Sequence, residues 1–490
     1  MIQLITYVSA VILVYFVALN AVYMTTSVLA FLHLKKYVRR LESLHIRDLV
    51  NAAGGIPITL VVPAYNEAAG IVESVRSLLT LQYSDYDIIV VNDGSTDDTL
   101  EQLVDAFELE RSERTASSAI TTAPLRGVFR AERHPNLWVI DKENGGKADS
   151  LNAGLNHSRT PLFCAMDADT LLEPEALPRL VRPFLEERKT IAAGGIVRIA
   201  NGCDVEGGIV RKVLLPRNMV ARFQVVEYLR AFLATRVGWD VLGSTLIISG
   251  AFGVFKRGIV VDAGGFATDT VGEDMELVVR LHRHCRENDI DYRINFVPDP
   301  VAWTEAPEDL ASLGKQRDRW QRGLVQTLWR HREMFGNPLY GPPAIIGFTY
   351  YTVFEVIGPV IEAFGFVLFL WALMTGIAPT SYVLAFLSLS VAAGVALSVA
   401  AVALEELSFR RYTRPADLGR MIIVAFIENI GYRQLSTWWR IKGIVSALRG
   451  DHTWGQQERR GFTSPEGPSE PSALDGSVGA LAKLHAADRN

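Results

Sequence analysis

Three apolar runs bracket a charged middle, and this arrangement limits the fold more than any single motif. Residues 4–32 are almost wholly apolar, and residues 344–374 and 381–404 repeat the pattern after a long globular stretch. About 20 such residues cross a bilayer's hydrocarbon as a helix. Lys35, Lys36, Arg39 and Arg40 follow the first run, and Arg410, Arg411 and Arg414 follow the third. A cleaved leader would carry its positive charge ahead of the apolar run. Residues 1–34 therefore read as a signal anchor, 344–405 as two crossings, and the middle as cytoplasmic by the positive-inside bias. Gly358, Pro359 and Gly365 predict a kink in the second span.

Residues 417–448 hold a shorter apolar run, then Arg433, Arg440, Lys442 and Arg449 among Trp438, Trp439 and Ile441. That mixture suits a helix lying at the membrane interface. A fourth crossing would export a basic tail. Residues 463–490 are rich in Ser, Pro, Gly, Ala and Glu and predict a disordered tail. Lys and Arg number 49 against 54 Asp and Glu, a net charge of -5, which excludes a general nucleic-acid binder. Cys164, Cys203 and Cys285 lack metal-ligand spacing and predict reduced packing residues.

Residues 50–312 alternate strand and helix signals as an α/β, Rossmann-like domain does. Residues 58–62 form a β-rich run, followed by Ala64-Tyr65-Asn66-Glu67 and a helical pattern to Leu79. Residues 86–91 form a second strand, ending at Asn92-Asp93-Gly94-Ser95. A carboxylate at a strand's carboxyl end faces the ligand crevice of such sheets. Asp93 can accept from a base or ribose there, although Asp-Gly-Ser is also a common capped turn. Residues 111–135 read as a surface excursion. Gly145-Gly146-Lys147 follows a strand at 137–140 and offers a phosphate an ammonium point charge, or simply starts a helix.

Asp167-Ala168-Asp169 leaves a buried strand at 162–166. Two carboxylates so placed call for a hard cation, Mg²⁺ or Mn²⁺, with Asp169 the direct ligand and Asp167 toward nucleotide or sugar. Residues 247–255 predict a glycine-containing strand in which Gly250 admits a sugar and Phe252 stacks on it, or which is simply buried. Glu273-Asp274 opens a helical run, either as a cap or as a general base (Asp274) with its orienting partner (Glu273). His282, His284 and Cys285 read as a basic helix flank rather than a metal site. Residues 313–336 form an amphipathic basic helix in which Gln316 and Arg319 lie one turn apart. Arg319 can neutralise a departing diphosphate, and Trp320 offers a flat face to a sugar. Arg317, Arg319, Arg322, Arg330 and Arg332 can also meet anionic headgroups.

The order Asn-Asp-Gly-Ser, Asp-x-Asp, Glu-Asp, Gln-x-x-Arg-Trp over residues 58–320 resembles family 2 glycosyltransferases of the GT-A fold. The Gln-x-x-Arg-Trp element and the flanking apolar runs are similar to the processive branch: chitin, hyaluronan, cellulose, poly-N-acetylglucosamine and chitooligosaccharide synthases. The resemblance implies a GT-A domain inserted between membrane helices at the inner cell membrane. It implies a UDP-sugar (UDP-N-acetylglucosamine first, UDP-glucose next) held by Tyr65, Glu67, Asp93, Lys147 and Asp167. It further implies a divalent metal at Asp169, a base at Asp274, and a growing β-linked glycan at Gln316, Arg319 and Trp320. Trp454 and Arg459, within 449–462, look like a loop that closes over the nucleotide. Asn92 and Gly272 depart from the family, which often has Asp and Thr there. Single-sugar transfer to a lipid-linked acceptor and a non-catalytic export scaffold are the rival expectations. Three spans are few for a secretion pore, so secretion partners or an oligomer stay open.

Overall fold

The computed structural model describes residues 2–43 and 55–451. The loop expected at Trp454 and Arg459 and the tail from 463 lie outside the described residues. The central lobe is a ten-stranded mixed sheet. Its strands are β1 (Ile58–Ala64), β2 (Tyr86–Asn92), β3 (Leu109–Arg111), β4 (Leu125–Ala131), β5 (Leu137–Lys142), β6 (Leu162–Met166), β7 (Leu171–Leu172), β8 (Thr190–Ile199), β11 (Phe252–Lys256) and β12 (Arg293–Thr304). They stand in the order β3-β4-β5-β2-β1-β6-β11-β8-β12-β7; β9 (Asp204–Glu206) and β10 (Ile209–Lys212) form a separate hairpin.

Strands β5, β2, β1 and β6 run parallel, Val61 pairing with Ile89 on one side and Ala165 on the other. Both faces are covered, which explains their continuous apolar runs. Leu60, Val62, Ile88, Val90 and Cys164 pack into one core, and Val61, Ile89, Val91, Phe163 and Ala165 into the other. Fully burying a Val, Leu, Ile or Phe side chain contributes about 1.5–3 kcal/mol, so these strands anchor the loops at their carboxyl ends. Helix Lys147–His157 presses on β1 at Gly154, where a methyl group would stand 2.2 Å from Val61 Cγ1. That close approach fixes where the helix begins, and with it Lys147.

Two expectations about the sheet are corrected. The excursion at 111–135 contains β4, which pairs antiparallel with β5 and with β3. Its side chains are largely exposed, so backbone pairing with β5 makes the strand and no apolar pattern announces it. The strand at 247–255 is regular only from Phe252 onward. The segment before it turns at Ser249, whose carbonyl accepts from Phe252 N at 3.1 Å, and Ile248 folds under Gly253.

Three helices are long and apolar enough to cross a membrane: Tyr7–Leu41, Pro343–Met374 and Thr380–Ser408. The first continues to Ser43 and enters the lobe, where Leu34 is buried and the Tyr37 hydroxyl donates to Asp299 at 2.8 Å. The second changes to π-helical turns at Pro343–Phe348 and Tyr351–Val356 before Gly358-Pro359, where the kink was expected. Arg198 on β8 makes a buried two-point pair with Glu405 at the end of the third, at 2.5 and 3.0 Å. Residues 415–451 form helices Pro415–Ile427 and Tyr432–Leu448, hinged at Gly431 with φ 90°. The first has 13 residues, about 20 Å, shorter than a hydrocarbon core of about 30 Å. The second lies against the helix Leu310–Arg330, with Gly443 on Asp318 and Gly314 on Trp439.

Candidate active site

A cavity of about 780 Å³ opens at the edge of the lobe and continues among the apolar helices. Its wall carries Lys147, Asp167, Asp169, Gly250, Glu273, Asp274, Gln316, Arg319 and Trp320. Five stretches separated by tens of residues thus meet at one surface.

The exit of β6 supplies Asp167 and Asp169. Lys147 Nζ lies 2.5 Å from Asp167 Oδ1 and 3.0 Å from Glu273 Oε1. Burial works against the Lys147 ammonium, but Asp167 and Glu273 outweigh it and hold its pKa well above the ordinary lysine value. Glu273 is 4% exposed; burial raises its carboxyl against the pull of Lys147. Asp274 starts the helix Glu273–Glu287, with Oδ2 accepting from Gly250 N at 3.0 Å and Oδ1 from Met275 N at 2.7 Å. These bonds aim the carboxylate, and Gly250 leaves the space in which a methyl would stand 2.8 Å from Lys147 Nζ.

Helix Leu310–Arg330 is capped by Asp309, whose carboxylate accepts from Ser312 N at 2.8 Å. Gln316 is buried, and its Oε1 meets no hydrogen-bond partner among the described residues. Trp320 is half-exposed to the cavity. The Arg317 guanidinium lies 4.4 Å from the Trp320 ring centroid. Glu227 Oε2 accepts from Arg317 Nη2 at 2.9 Å and from the Tyr432 hydroxyl at 2.8 Å. No motif marks Glu227, 90 residues before Arg317; its one distinction is being the single acidic residue of helix Met219–Tyr228.

The nucleotide-side residues lie elsewhere. Tyr65 and Glu67 follow the carboxyl end of β1, outside the cavity wall, with Tyr65 exposed. Asp93 follows β2 and is 2% exposed. Its carboxylate accepts from Lys142 Nζ at 2.5 Å, Gly145 N at 3.0 Å and Gly146 N at 2.8 Å. It therefore fixes the turn that delivers Lys147, and Lys142, fully buried, also reaches Asp149 at 2.7 Å. Asn92 donates to Asp141 at 2.8 Å; an Asp at 92 would set two carboxylates against each other.

Several readings are corrected. Phe252 does not face a sugar: it is fully buried, pairing with Met166, while the turn before it brings Ser249, Gly250 and Ala251 to the cavity. Two basic residues that could also have met headgroups turn into the protein, Arg317 onto Glu227 and Arg322 onto Asp318, while Arg330 pairs with Asp269 at the surface. His282 is buried between the Thr245 carbonyl and the Tyr292 hydroxyl, and burial lowers it to about 4. Its burial takes it out of the basic flank expected of that helix. Among the described residues, no three metal-ligating side chains cluster.

Residues 59–209 match the family model Glycosyl transferase family 2, and residues 162–397 match Glycosyl transferase family group 2. The chain is 28% identical over 274 residues to the poly-beta-1,6-N-acetyl-D-glucosamine synthase of Staphylococcus aureus (strain COL), covering 56% of each chain. The enzyme of that name from Staphylococcus epidermidis is 28% identical over 273 residues, with the same coverage. The chain therefore spans about half the length of the curated relatives it matches. Among solved structures, the mannosyltransferase PcManGT from Pyrobaculum calidifontis, in complex with GDP-Man and Mn²⁺, superposes with a TM-score of 0.51 at 19% identity. That superposition covers 86% of this chain and 99% of the other. With its mixed sheet and its ordered carboxylates, the stretch 59–397 carries glycosyltransferase family 2 domains in a GT-A fold.

Proposed function

We propose that this protein transfers a sugar from a UDP-sugar to the end of a growing β-linked glycan, with inversion at the anomeric carbon. UDP-N-acetylglucosamine is the preferred donor, in keeping with the printed names of the Staphylococcus relatives, and UDP-glucose the next. The observation that carries this reading is the shared cavity wall of Asp167, Asp169, Asp274, Gln316, Arg319 and Trp320. The acceptor hydroxyl oxygen bonds to the anomeric carbon as the carbon–phosphate oxygen bond breaks, and UDP leaves with the electron pair. Asp274 takes the hydroxyl proton, and Glu273 orients the approach. Arg319 offsets charge growing on the departing diphosphate, and Lys147 moves from Asp167 and Glu273 toward it. Gln316 Oε1 and the Trp320 face hold the acceptor. Tyr65 and Glu67 stand at the nucleotide end of the crevice, and Asp93 acts through the turn that delivers Lys147.

Asp167 and Asp169 fit a divalent cation. Both offer hard oxygens, and with no third side-chain ligand clustered among the described residues, donor oxygens and water would have to supply the remaining ligands, which suits Mg²⁺. Mn²⁺ suits the same donors. When bound, such an ion supplies positive charge to the diphosphate oxygens.

The cavity's continuation past Asn20, Tyr23, Glu355 and Glu362 supports release of the product between the apolar helices. We place the lobe on the cytoplasmic side of the inner membrane, with Tyr7–Leu41, Pro343–Met374 and Thr380–Ser408 crossing it. The test is UDP release by the detergent-purified full chain given a panel of labelled UDP-sugars with Mg²⁺ or Mn²⁺. A ladder of products is expected; UDP release from none of the donors would overturn the reading.

A further inference from the structure

Helix Met219–Tyr228 runs unbroken into the π-helix Leu229–Arg236 and on into Val237–Val241. Widened turns of this kind collect at functional sites. This one ends on Arg236, which lines the cavity.

Arg236 differs from its neighbours in the same wall. Arg230 pairs with Glu428, Arg317 with Glu227 and Arg440 with Glu355. Arg236 has no carboxylate within ion-pair distance among the described residues, and its Nη1 is buried without a hydrogen-bond partner. Its guanidinium lies 3.9 Å from the centroid of the Phe232 ring. Burial works against its charge, while Tyr351, Asp274 and Tyr228 favour it. Gly238, two residues on, packs on Thr26 of the first apolar helix, and Trp239 packs on Tyr350 of the second. Arg236 therefore stands where the cavity continues among the apolar helices, on the path proposed for the glycan. A buried guanidinium with no partner is costly, and oxygens brought by a ligand offset that cost. A saccharide brings several, as hydroxyls and as amide carbonyls, to match a fork of five N–H donors.

We propose that Arg236 is a further acceptor-binding residue, donating to oxygens of the saccharide whose hydroxyl Asp274 deprotonates. This rests on the transferase reading above. The experiment uses the full chain in detergent with UDP-N-acetylglucosamine, Mn²⁺ and a β-linked N-acetylglucosamine tetramer as the acceptor probe. UDP release is followed against tetramer concentration, and UDP affinity is titrated separately. Arg236→Gln should raise the tetramer concentration for half-maximal rate about tenfold or more, the scale of a lost charge-assisted hydrogen bond, with UDP affinity unchanged. Arg236→Lys keeps a charge without the fork, and should shift the same parameter by less if Gln folds, or stand in for it if Gln does not. An unchanged tetramer dependence in the folded variant overturns the assignment. So does a tenfold loss of UDP affinity, which would put Arg236 on the donor, and so does a wild type indifferent to the tetramer. A wild type that releases no UDP from any UDP-sugar sinks the transferase reading instead.

Discussion

Gly272 and Gly323 meet backbone to backbone: a methyl group on either would stand 2.8 Å from the Cα of the other. Asp274 lies two residues past the first, and Trp320 and Arg319 lie three and four before the second. Two missing Cβ atoms thus set the distance between the base and the acceptor wall. The contact also accounts for glycine at 272. Gly323→Ala should destabilise the fold by about 1–3 kcal/mol, the usual cost of overpacking. It should lower UDP release further than its shift in thermal midpoint explains; parallel unfolding and activity measurements decide.

Asp274 is held by two backbone N–H groups, so Asn at 274 retains the shape and one acceptor. Asp274→Asn should bind UDP as the wild type does and lose transfer by about 10²–10⁴-fold. Full turnover would remove Asp274 as the base.

Glu227 fixes Arg317 behind Trp320, and Tyr432 shares its oxygen. Glu227→Gln leaves Arg317 buried without its counter-charge, so the Trp320 platform loosens. The half-saturating acceptor concentration should rise several-fold and UDP affinity should hold. Combining it with Arg317→Gln should cost less than the two separate effects together.

Glu276, 1% exposed, joins the base helix to His331 just past the acceptor helix, at 3.1 Å. Burial pushes its carboxyl up, but hydrogen bonds from His331 and Arg280 prevail and hold it at about 2, against an ordinary 4.5. A depressed carboxyl stabilises the fold above its ordinary pKa and loses that contribution as pH falls from about 4.5 toward 2. The contribution is on the order of 3 kcal/mol. Thermal midpoints in detergent should fall over that window, and Glu276→Gln should flatten the slope while lowering the midpoint at neutral pH.

Chelation should stop UDP release, and Mg²⁺ or Mn²⁺ should restore it. Asp169→Asn should raise the metal concentration required by about tenfold or more; restoration at wild-type metal levels would remove Asp169 as the ligand.

The parallel strands were legible because burial on both faces writes itself as continuous apolar runs, as at β1, β2 and β6. The three long helices were legible for a similar reason: their apolar length is a property of the chain. Strand β4 was not, since backbone pairing with β5 makes it while its side chains stay largely in water.

Asp167, Asp169, Asp274, Gln316, Arg319 and Trp320 could be named in sequence because residue type and spacing carry their chemistry. Only the tertiary structure decided which groups are already spent. Asp93 is consumed by Lys142 and two backbone amides, Phe252 is turned into the core, and Arg317 faces Glu227. Whether a side chain is free for a ligand depends on partners tens or hundreds of residues away, and no local pattern encodes that. Arg236 looks like any other arginine in the chain until the fold leaves its Nη1 buried in the cavity wall with no hydrogen-bond partner among the described residues.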